Sequence, residues 1–489
     1  MPLSLPLPLR TLAWTLLLAA AGAGAQRPQL SDAQAQAYQR REVLAAAGPL
    51  DALQRDGWDP LADAVITGDA RPARWHYEVD PARADGQRIF ATVQAALGQA
   101  HQDALAGRHA GTPRLYIAIA PGRYNELVVV PSTPLPVTLW GLGATPEAVR
   151  IEAGLHSQMT GAELLRRHGA VFDATDQHPD IAEPLRACAR NPRIGTGCTA
   201  TLRVRNHGFQ LRGVSVANRF QLDQPGPAQQ AVALMTEGAD RVHLEQVQLW
   251  GWQDTLYLRS PGPDAVARVA VHRSLVAGDV DFIFGNAIAW FGRSEIRFLG
   301  ARPGGGGASN GWVAAPSTAR RATYGFVFDD CDFSSDGQGL AAPERPGQVH
   351  LARQWFAGAR CSPYGQATAD QPNGPRCLPE PALAVGASLP ADGRLLPAAS
   401  LEAVGRMVVL RSRLGPHLRA DAPWADWSSQ PTQPAFRRVM TDSDALWQAL
   451  QTAGHDPSRW GWQRPAPAQP WLAEYLNLLS AKAQSGQRQ

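Results

Sequence analysis

The chain has 489 residues, 44% of them apolar, with 46 Gly and 40 Pro, enough for a large core and a composition that favours strands and turns over a helical bundle. Its 46 basic and 43 acidic residues leave a net charge of +3, too small to argue for a nucleic-acid partner. Lys482 is the only lysine, which argues against a Schiff-base or lysine-nucleophile mechanism.

Residues 1–25 read as an export signal, with Arg10, an apolar run from Leu12 to Ala20, and Ala23-Gly24-Ala25 before Gln26. The run is too short to span a bilayer comfortably, and no Cys near the cleavage point suggests a lipid anchor. Export predicts a secreted or periplasmic protein in an oxidising compartment. There, Cys188 with Cys198 and Cys361 with Cys377 are spaced for short loop-closing disulfides worth roughly 2 to 3 kcal/mol each. Cys331 occupies an apolar repeat position and is expected to be a buried free thiol.

Residues 26–84 form a partly helical lead-in, with helical composition from Ser31 to Ala47 that stops at Gly48-Pro49. A repeating body is expected over 85–440, opening with an amphipathic helix at Phe90 to Leu97 and a buried strand at Leu115 to Ile119. Residues 152–200 interrupt it as an insertion with a short helix near Ala162 to Arg167. A tail over 441–489 carries helical runs at Ala445 to Thr452 and Trp471 to Leu479, and packs on the body or caps it.

Within the body, Phe209-x-Leu211-x-x-Val214-x-Val216 sets an apolar template that recurs from Val242, Val269 and Phe326. Successive starts differ by 33, 27 and 57 residues, the last about two units, and a version one residue shorter stands at Val409-Leu410-x-x-x-Leu414. Units too short to bury their own apolar face predict a stacked solenoid. β-Branched and aromatic residues at period two, without intervening helices, make it an all-β parallel β-helix. The competing reading is a β-sandwich with chance spacing.

Two carboxylates stand out against this background. Asp254, in Gly251-Trp252-Gln253-Asp254-Thr255-Leu256, and Asp281, in Asp279-Val280-Asp281-Phe282-Ile283-Phe284-Gly285, lie inside apolar runs where an ionised group is costly unless paired. They are 27 residues apart, as are the templates beginning at Val242 and Val269, so they hold the same place in successive coils. Adjacent strands lie about 4.8 Å apart, which makes them a pair whose proton affinities split, one member ionised and the other protonated. Such a pair suits acyl transfer or glycoside hydrolysis. Gln230 and Gln253, one coil apart and beside the carboxylates, favour acyl transfer, because amide N–H groups can hold a tetrahedral oxyanion that a glycosidase does not form.

The residues resemble the pectinesterase (pectin methylesterase) family, in a subgroup of exported Gram-negative relatives. The resemblance rests on Gly122-Arg123-Tyr124-Asn125-Glu126, Gln230-Ala231-Val232-Ala233-Leu234, Gln253-Asp254-Thr255-Leu256 and Asp281-Phe282-Ile283-Phe284-Gly285, with Leu351-Ala352-Arg353-Gln354-Trp355 standing for Leu-Gly-Arg-Pro-Trp. It spans about residues 85–430 and implies a right-handed, single-stranded parallel β-helix with short helical additions at both ends. It also implies that Asp281 attacks a galacturonate methyl ester, Asp254 serves as acid and base, Gln230 and Gln253 form the oxyanion hole, and Arg353 orients Asp281 and holds it ionised. Trp355, Phe282 and Trp252 are expected to line the sugar groove. The implied partner is methyl-esterified pectin, met by a monomer without metal, cofactor, nucleic acid or membrane.

Three departures stand out: Ala352 and Gln354 in the arginine block, and Asp279 where the family has Thr. Asp279 is expected either to add a third carboxylate or, in preference, to sit at a bend facing water. These departures keep a second reading open, a repurposed or non-catalytic β-helix of the same family that binds polysaccharide or hydrolyses a thioester. A pectin hydrolase or lyase on a similar solenoid is a third; the scarcity of lysine and the lack of an acidic calcium-type cluster weigh against the lyase.

Overall fold

The computed structural model describes residues 27–68, 70–175 (170–175 as backbone), 178–222, 229–302, 311–364, 376–389, 393–427, 436–463 and 470–479. The export signal expected at 1–25 lies outside them. Among the described residues three long sheets of eight, eleven and nine strands make up the body. One coil supplies a strand to each: Leu234–Glu237, Val242–Glu245 and Gln248–Trp250, followed by Leu256–Arg259, Arg268–His272 and Leu275–Gly278. Coils stack in parallel register, Leu234 on Leu256 and Val242 on Val269. This is the parallel β-helix expected from the repeat.

The template positions point inward. Leu139, Leu211, Leu244, Val271, Phe291, Phe328 and Val409 lie in one register row, all fully buried, with Phe291 and Phe328 stacked 4.4 Å apart. The 57-residue gap holds two coil steps, because Ala289-x-Phe291-x-x-Ser294-x-Ile296 lies between the strands at 269 and 326. The apparently shortened unit near Val409 is full length: it starts at Met407, paired with Phe326, and Ser412 stands at its middle apolar position.

That middle position is a hydrogen-bonded corner. Each coil turns there through a left-handed residue, Gly213, Gln246, Arg273, Arg293, Asp330 and Arg411 having φ between 47° and 63°. After Gly213 and Gln246 the next residue is a valine, but from Arg273 onward it is a serine or cysteine whose side chain collects a backbone N–H from the coil before. Ser274 Oγ accepts from Val247 N–H at 3.0 Å, Ser294 Oγ from Ser274 N–H at 3.2 Å, and Ser412 Oγ from Cys331 N–H at 3.0 Å. Cys331 continues the row with sulfur facing the Ser294 N–H, and its thiol, pushed up to about 12 by burial, stays protonated. It is the free cysteine, whereas Cys188–Cys198 and Cys361–Cys377 are joined.

The additions differ from expectation in places. Ser31 to Ala47 forms two short helices, Asp32–Gln36 and Arg40–Val43, and then a strand at Ala46–Pro49 paired with Ala265–Val266. Tyr38, Val43 and Leu44 cover the outer face of the eleven-stranded sheet around Ala270, Trp290 and Val408. The insertion carries two helices, Gly161–Thr175 and Pro179–Ala189. Ser443–Thr452 is helical, but Trp471 to Leu479 is not: Leu472–Tyr475 and Leu478–Leu479 add strands to Met407–Leu410 and Arg413–Leu414. An open sheet edge offers unpaired N–H and C=O groups, and this outweighs the segment's helix-forming composition.

The corner row yields a test. Cys331→Ser supplies a better acceptor to Ser294 N–H and is expected to change unfolding free energy in urea by less than about 1 kcal/mol. Cys331→Ala leaves that buried donor unpaired and is expected to cost about 1 to 3 kcal/mol. Equal stabilities for the two variants would contradict this role.

Candidate active site

The strand Val280–Gly285 of the eight-stranded sheet is irregular where the site lies. Val280 pairs with Trp312 and Ile283 with Ala314, so three residue steps face two and the chain bulges at Asp281-Phe282. Asp281 takes φ 49° and Asp254, one coil earlier, φ 70°. Aspartate tolerates the left-handed region better than most side chains, and such strain persists where surrounding bonds over-determine it. Asp254 N–H donates to Val280 C=O at 3.1 Å, and Leu256 pairs with Ile283, which keeps the 27-residue register between the carboxylates. Gly278 cannot be larger, since a Cβ would lie 2.3 Å from that of Phe282 and 2.6 Å from Trp252 O.

Asp254 and Asp281 are each 6% exposed. Arg353 reaches Asp281 from the strand Val349–Arg353, two coils on, with both prongs of its guanidinium: Nε to Oδ1 at 2.9 Å and Nη2 to Oδ2 at 2.6 Å. Its cation is held between Trp312 and Trp427, at 3.9 and 4.6 Å from the ring centres. Burial and then the charge of Asp281 push Asp254 well above the usual carboxylate range, against the pull of Arg353 and Arg302. Asp254, favoured in its protonated form, thus stands one coil from a carboxylate fixed in orientation, an arrangement that can supply an acid and a nucleophile.

Asp279 does not face water. It is 6% exposed and forms a second two-pronged pair, with Arg302 Nε to Oδ2 at 2.8 Å and Nη2 to Oδ1 at 2.5 Å. Arg302 is a site residue that the sequence reading missed. The available signal was a carboxylate in an apolar strand with no neighbour to pair it, which requires a cation from elsewhere in the fold.

The glutamines lie on adjacent coils, with Ala231 N–H donating to Gln253 C=O at 3.0 Å. Ser157 Oγ–H donates to Gln230 Oε1 at 2.5 Å, which leaves the amide N–H2 end of Gln230 unspent on that bond. Trp355 forms an aromatic cluster with Tyr257 and Phe284, ring centres 4.2 to 6.4 Å apart, and with Tyr257, Arg259, Asn286 and Ser317 it lines an open cleft. Phe282 is not in that cleft. Alternation from Phe284 would place it outside, but the bulge turns it into the core, fully buried. Trp252 is 7% exposed, donates its indole N–H to Gln221 C=O and packs on Leu275, Ala277 and Leu299, so it supports the site from behind. The Gly122 to Glu126 block is structural: Glu126 accepts from Val93 and Gln94 N–H and closes the start of the helix Val93–Leu105.

One group among the described residues has a metal-ligand appearance, His243, Glu245 and His272 on the eleven-stranded sheet. Glu245 Oε2 lies 3.0 Å from His243 Nε2 and 2.9 Å from His272 Nδ1, and Oε1 accepts from Arg273 Nε at 2.7 Å. These are hydrogen-bond lengths, and a guanidinium already neutralises the carboxylate, so the donor set fits an anion held by three N–H groups better than a cation. Burial pushes Glu245 up, but the two imidazoles overcome this and bring it to about 2. A depressed acid stabilises above its unfolded pKa and loses that contribution as pH falls through the folded value. Acid unfolding should therefore remove about 3 kcal/mol between roughly pH 4.5 and 2, and Glu245→Gln should flatten the stability curve across that window. An unchanged slope in the variant would exclude the assignment.

The bulge separates two aromatic roles. Phe282→Ala is expected to cost about 3 to 5 kcal/mol of stability, whereas Trp355→Ala should leave the unfolding midpoint nearly unchanged and raise KM for a polymeric substrate. A KM effect without destabilisation in Phe282→Ala would restore that residue to the cleft.

The site can be set beside known proteins. The Pectinesterase family matches residues 187–361. Pectinesterase B of Dickeya dadantii is 30% identical over 350 residues, 69% of this chain and 75% of that protein, and a pectinesterase of Ralstonia solanacearum is 32% identical, over 69% of this chain and 77% of its own. The crystal structure of Escherichia coli YbhC shares the fold, with a TM-score of 0.65 and 21% identity over 97% of this chain and the whole of that one. By relatives at this identity and coverage, the chain belongs to the pectinesterase family.

Proposed function

We propose that the protein removes methyl esters from galacturonate units of pectin, giving methanol and pectate, as a secreted or periplasmic monomer. The observation that carries this reading is the two-pronged Arg353–Asp281 pair standing one coil from the buried Asp254. Asp281 attacks the ester carbonyl carbon, and the carbonyl oxygen becomes an oxyanion that the amide N–H groups of Gln230 and Gln253 stabilise. The intermediate expels the methoxy group as Asp254 gives it a proton, which leaves methanol and an acyl-Asp281 anhydride. Asp254, now ionised, takes a proton from water, and the hydroxide attacks the anhydride carbonyl to release the galacturonate carboxyl and regenerate Asp281. The Tyr257, Phe284 and Trp355 cluster supports sugar stacking beside these groups.

Incubation with highly methylated pectin is expected to release methanol with chain length unchanged; shortening would indicate a hydrolase or lyase instead. Asp281→Asn and Asp254→Asn should each lower turnover by about 10³-fold or more, and the double variant should be little worse than either, because groups acting as one unit are not additive. Substantial activity in Asp281→Asn would remove the mechanism. A folded protein that releases no methanol would favour the thioester or polysaccharide-binding reading.

A further inference from the structure

The Asp279–Arg302 pair is unexplained by the reaction above. Both side chains are buried, at 6% and 7% exposure, and they are joined by two short bonds. The backbone of Asp279 is fixed on both sides, its N–H donating to Trp252 C=O and its C=O accepting from Trp312 N–H, each at 3.2 Å. Trp252 precedes Gln253-Asp254, and Trp312 is the ring under Arg353. Arg302 stands 5.9 Å from the ring centre of Trp252, and its Nη1 is buried without a hydrogen-bond partner among the described residues. An ion pair buried beside a carboxylate pair is costly to desolvate, and it is no part of the strand register, which pairs Val280 with Trp312 and Ile283 with Ala314.

We propose that Asp279 and Arg302 form a positioning unit for the acid–base step, the guanidinium end of the pair acting on Asp254 so that Asp254 can both give a proton to the leaving methanol and take one from water. This rests on the pectinesterase reading. The charged and titratable groups that act on Asp254 are Asp281 in the strand Val280–Gly285, Asp279 at the bend just before that strand, Arg353 in the strand Val349–Arg353, Arg302, and Tyr257 in the strand that follows Asp254. Burial and Asp281 drive Asp254 upward; Arg353 and then Arg302 draw it back, and Asp279 pushes upward less than Arg302 pulls down. Without the pair, Asp254 would hold its proton too firmly to serve as acid and base near one working pH. Asp279 keeps Arg302 in place, and it also keeps a lone cation from drawing Asp254 down too far.

The test is the alkaline limb of the kcat/KM profile on methylated pectin, which reports loss of the proton from Asp254. Arg302→Gln should move the limb up, because the pull of Arg302 is lost and the unpaired, buried Asp279 is driven toward its neutral form, and Asp279→Asn should move it down, because Arg302 then acts alone. The double variant Asp279→Thr/Arg302→Gln leaves no lone buried charge; its limb should lie above that of the unaltered protein and no higher than that of Arg302→Gln. The double variant decides alone if a single variant does not fold. A limb at the unaltered position in the double variant, or shifts of the same sign in two folded single variants, overturns the proposal. An unaltered protein that releases no methanol would instead refute the esterase reading, so the two failures are distinguishable.

Discussion

Coil-to-coil register concentrates negative charge at one place in this molecule, and much of the site's architecture answers that fact. Strands about 4.8 Å apart and a 27-residue step put Asp254 and Asp281 side by side, and Asp279 adds a third carboxylate two residues earlier. Two unit charges at about 4 Å repel by about 4 kcal/mol at the effective dielectric of a protein, so three ionised groups could not coexist unaided. Arg353 and Arg302 each take one carboxylate with a planar fork, and Asp254, which pairs with no guanidinium among the described residues, is the one that burial and Asp281 push toward its protonated form. Arginine is suited to this because its cation is weakly hydrated and stacks on rings. Trp312 and Trp427 hold Arg353 between their faces.

Much of this was legible in the sequence. The apolar template fixes which residues face inward, and the matching 27-residue spacings of template and carboxylates place the pair before any coordinates are known. The 57-residue gap signalled an intermediate unit, and the coil at Ala289 to Ile296 supplies it only 20 residues after Val269, short of the 27 and 33 of the other steps; Ser294 and Ser412 stand at its middle position and at that of the unit starting at Met407, as Ser274 does in the unit before. Both serines occupy the corner where a hydroxyl serves the neighbouring backbone better than a methyl group. Trp471 to Leu479 misled: Leu, Ala and Glu are good helix formers, but propensity is a weak prior against the ladder offered by Met407–Leu410. Phe282, expected from the resemblance to line the groove, is turned into the core by a bulge that the sequence does not announce.

The insertion contributes to the site in a way that composition could not reveal. Ser157, near its start, fixes the acceptor end of Gln230. Thr199, near its end, accepts Val232 N–H at 2.9 Å, and Asn218 donates to Leu155, Thr199 and Val232 carbonyls. Both ends of the inserted segment are therefore tied to the strand entry that carries Gln230. The disulfide Cys188–Cys198 closes the loop between its second helix and that anchor. The hydrogen bonds join residues 14 to 73 positions apart, and none belongs to a repeating pattern, so periodicity carries no trace of them.

The two departures in the arginine block are compensated locally. A proline after the arginine would stiffen the loop through its ring; Gln354 replaces that with cross-links. Its buried amide donates to Gly405 and Met440 carbonyls at 3.0 and 2.9 Å and accepts from Met440 N–H at 2.8 Å. These bonds tie the chain beyond Arg353 to two distant segments. Ala352 adds only a methyl group and keeps the ladder, pairing with Ala314 on one side and Trp424 on the other. Arg353 therefore leaves the strand at a fixed angle with a residue of different chemistry behind it. What these bonds hold in place is the chain directly after the guanidinium that pairs with Asp281.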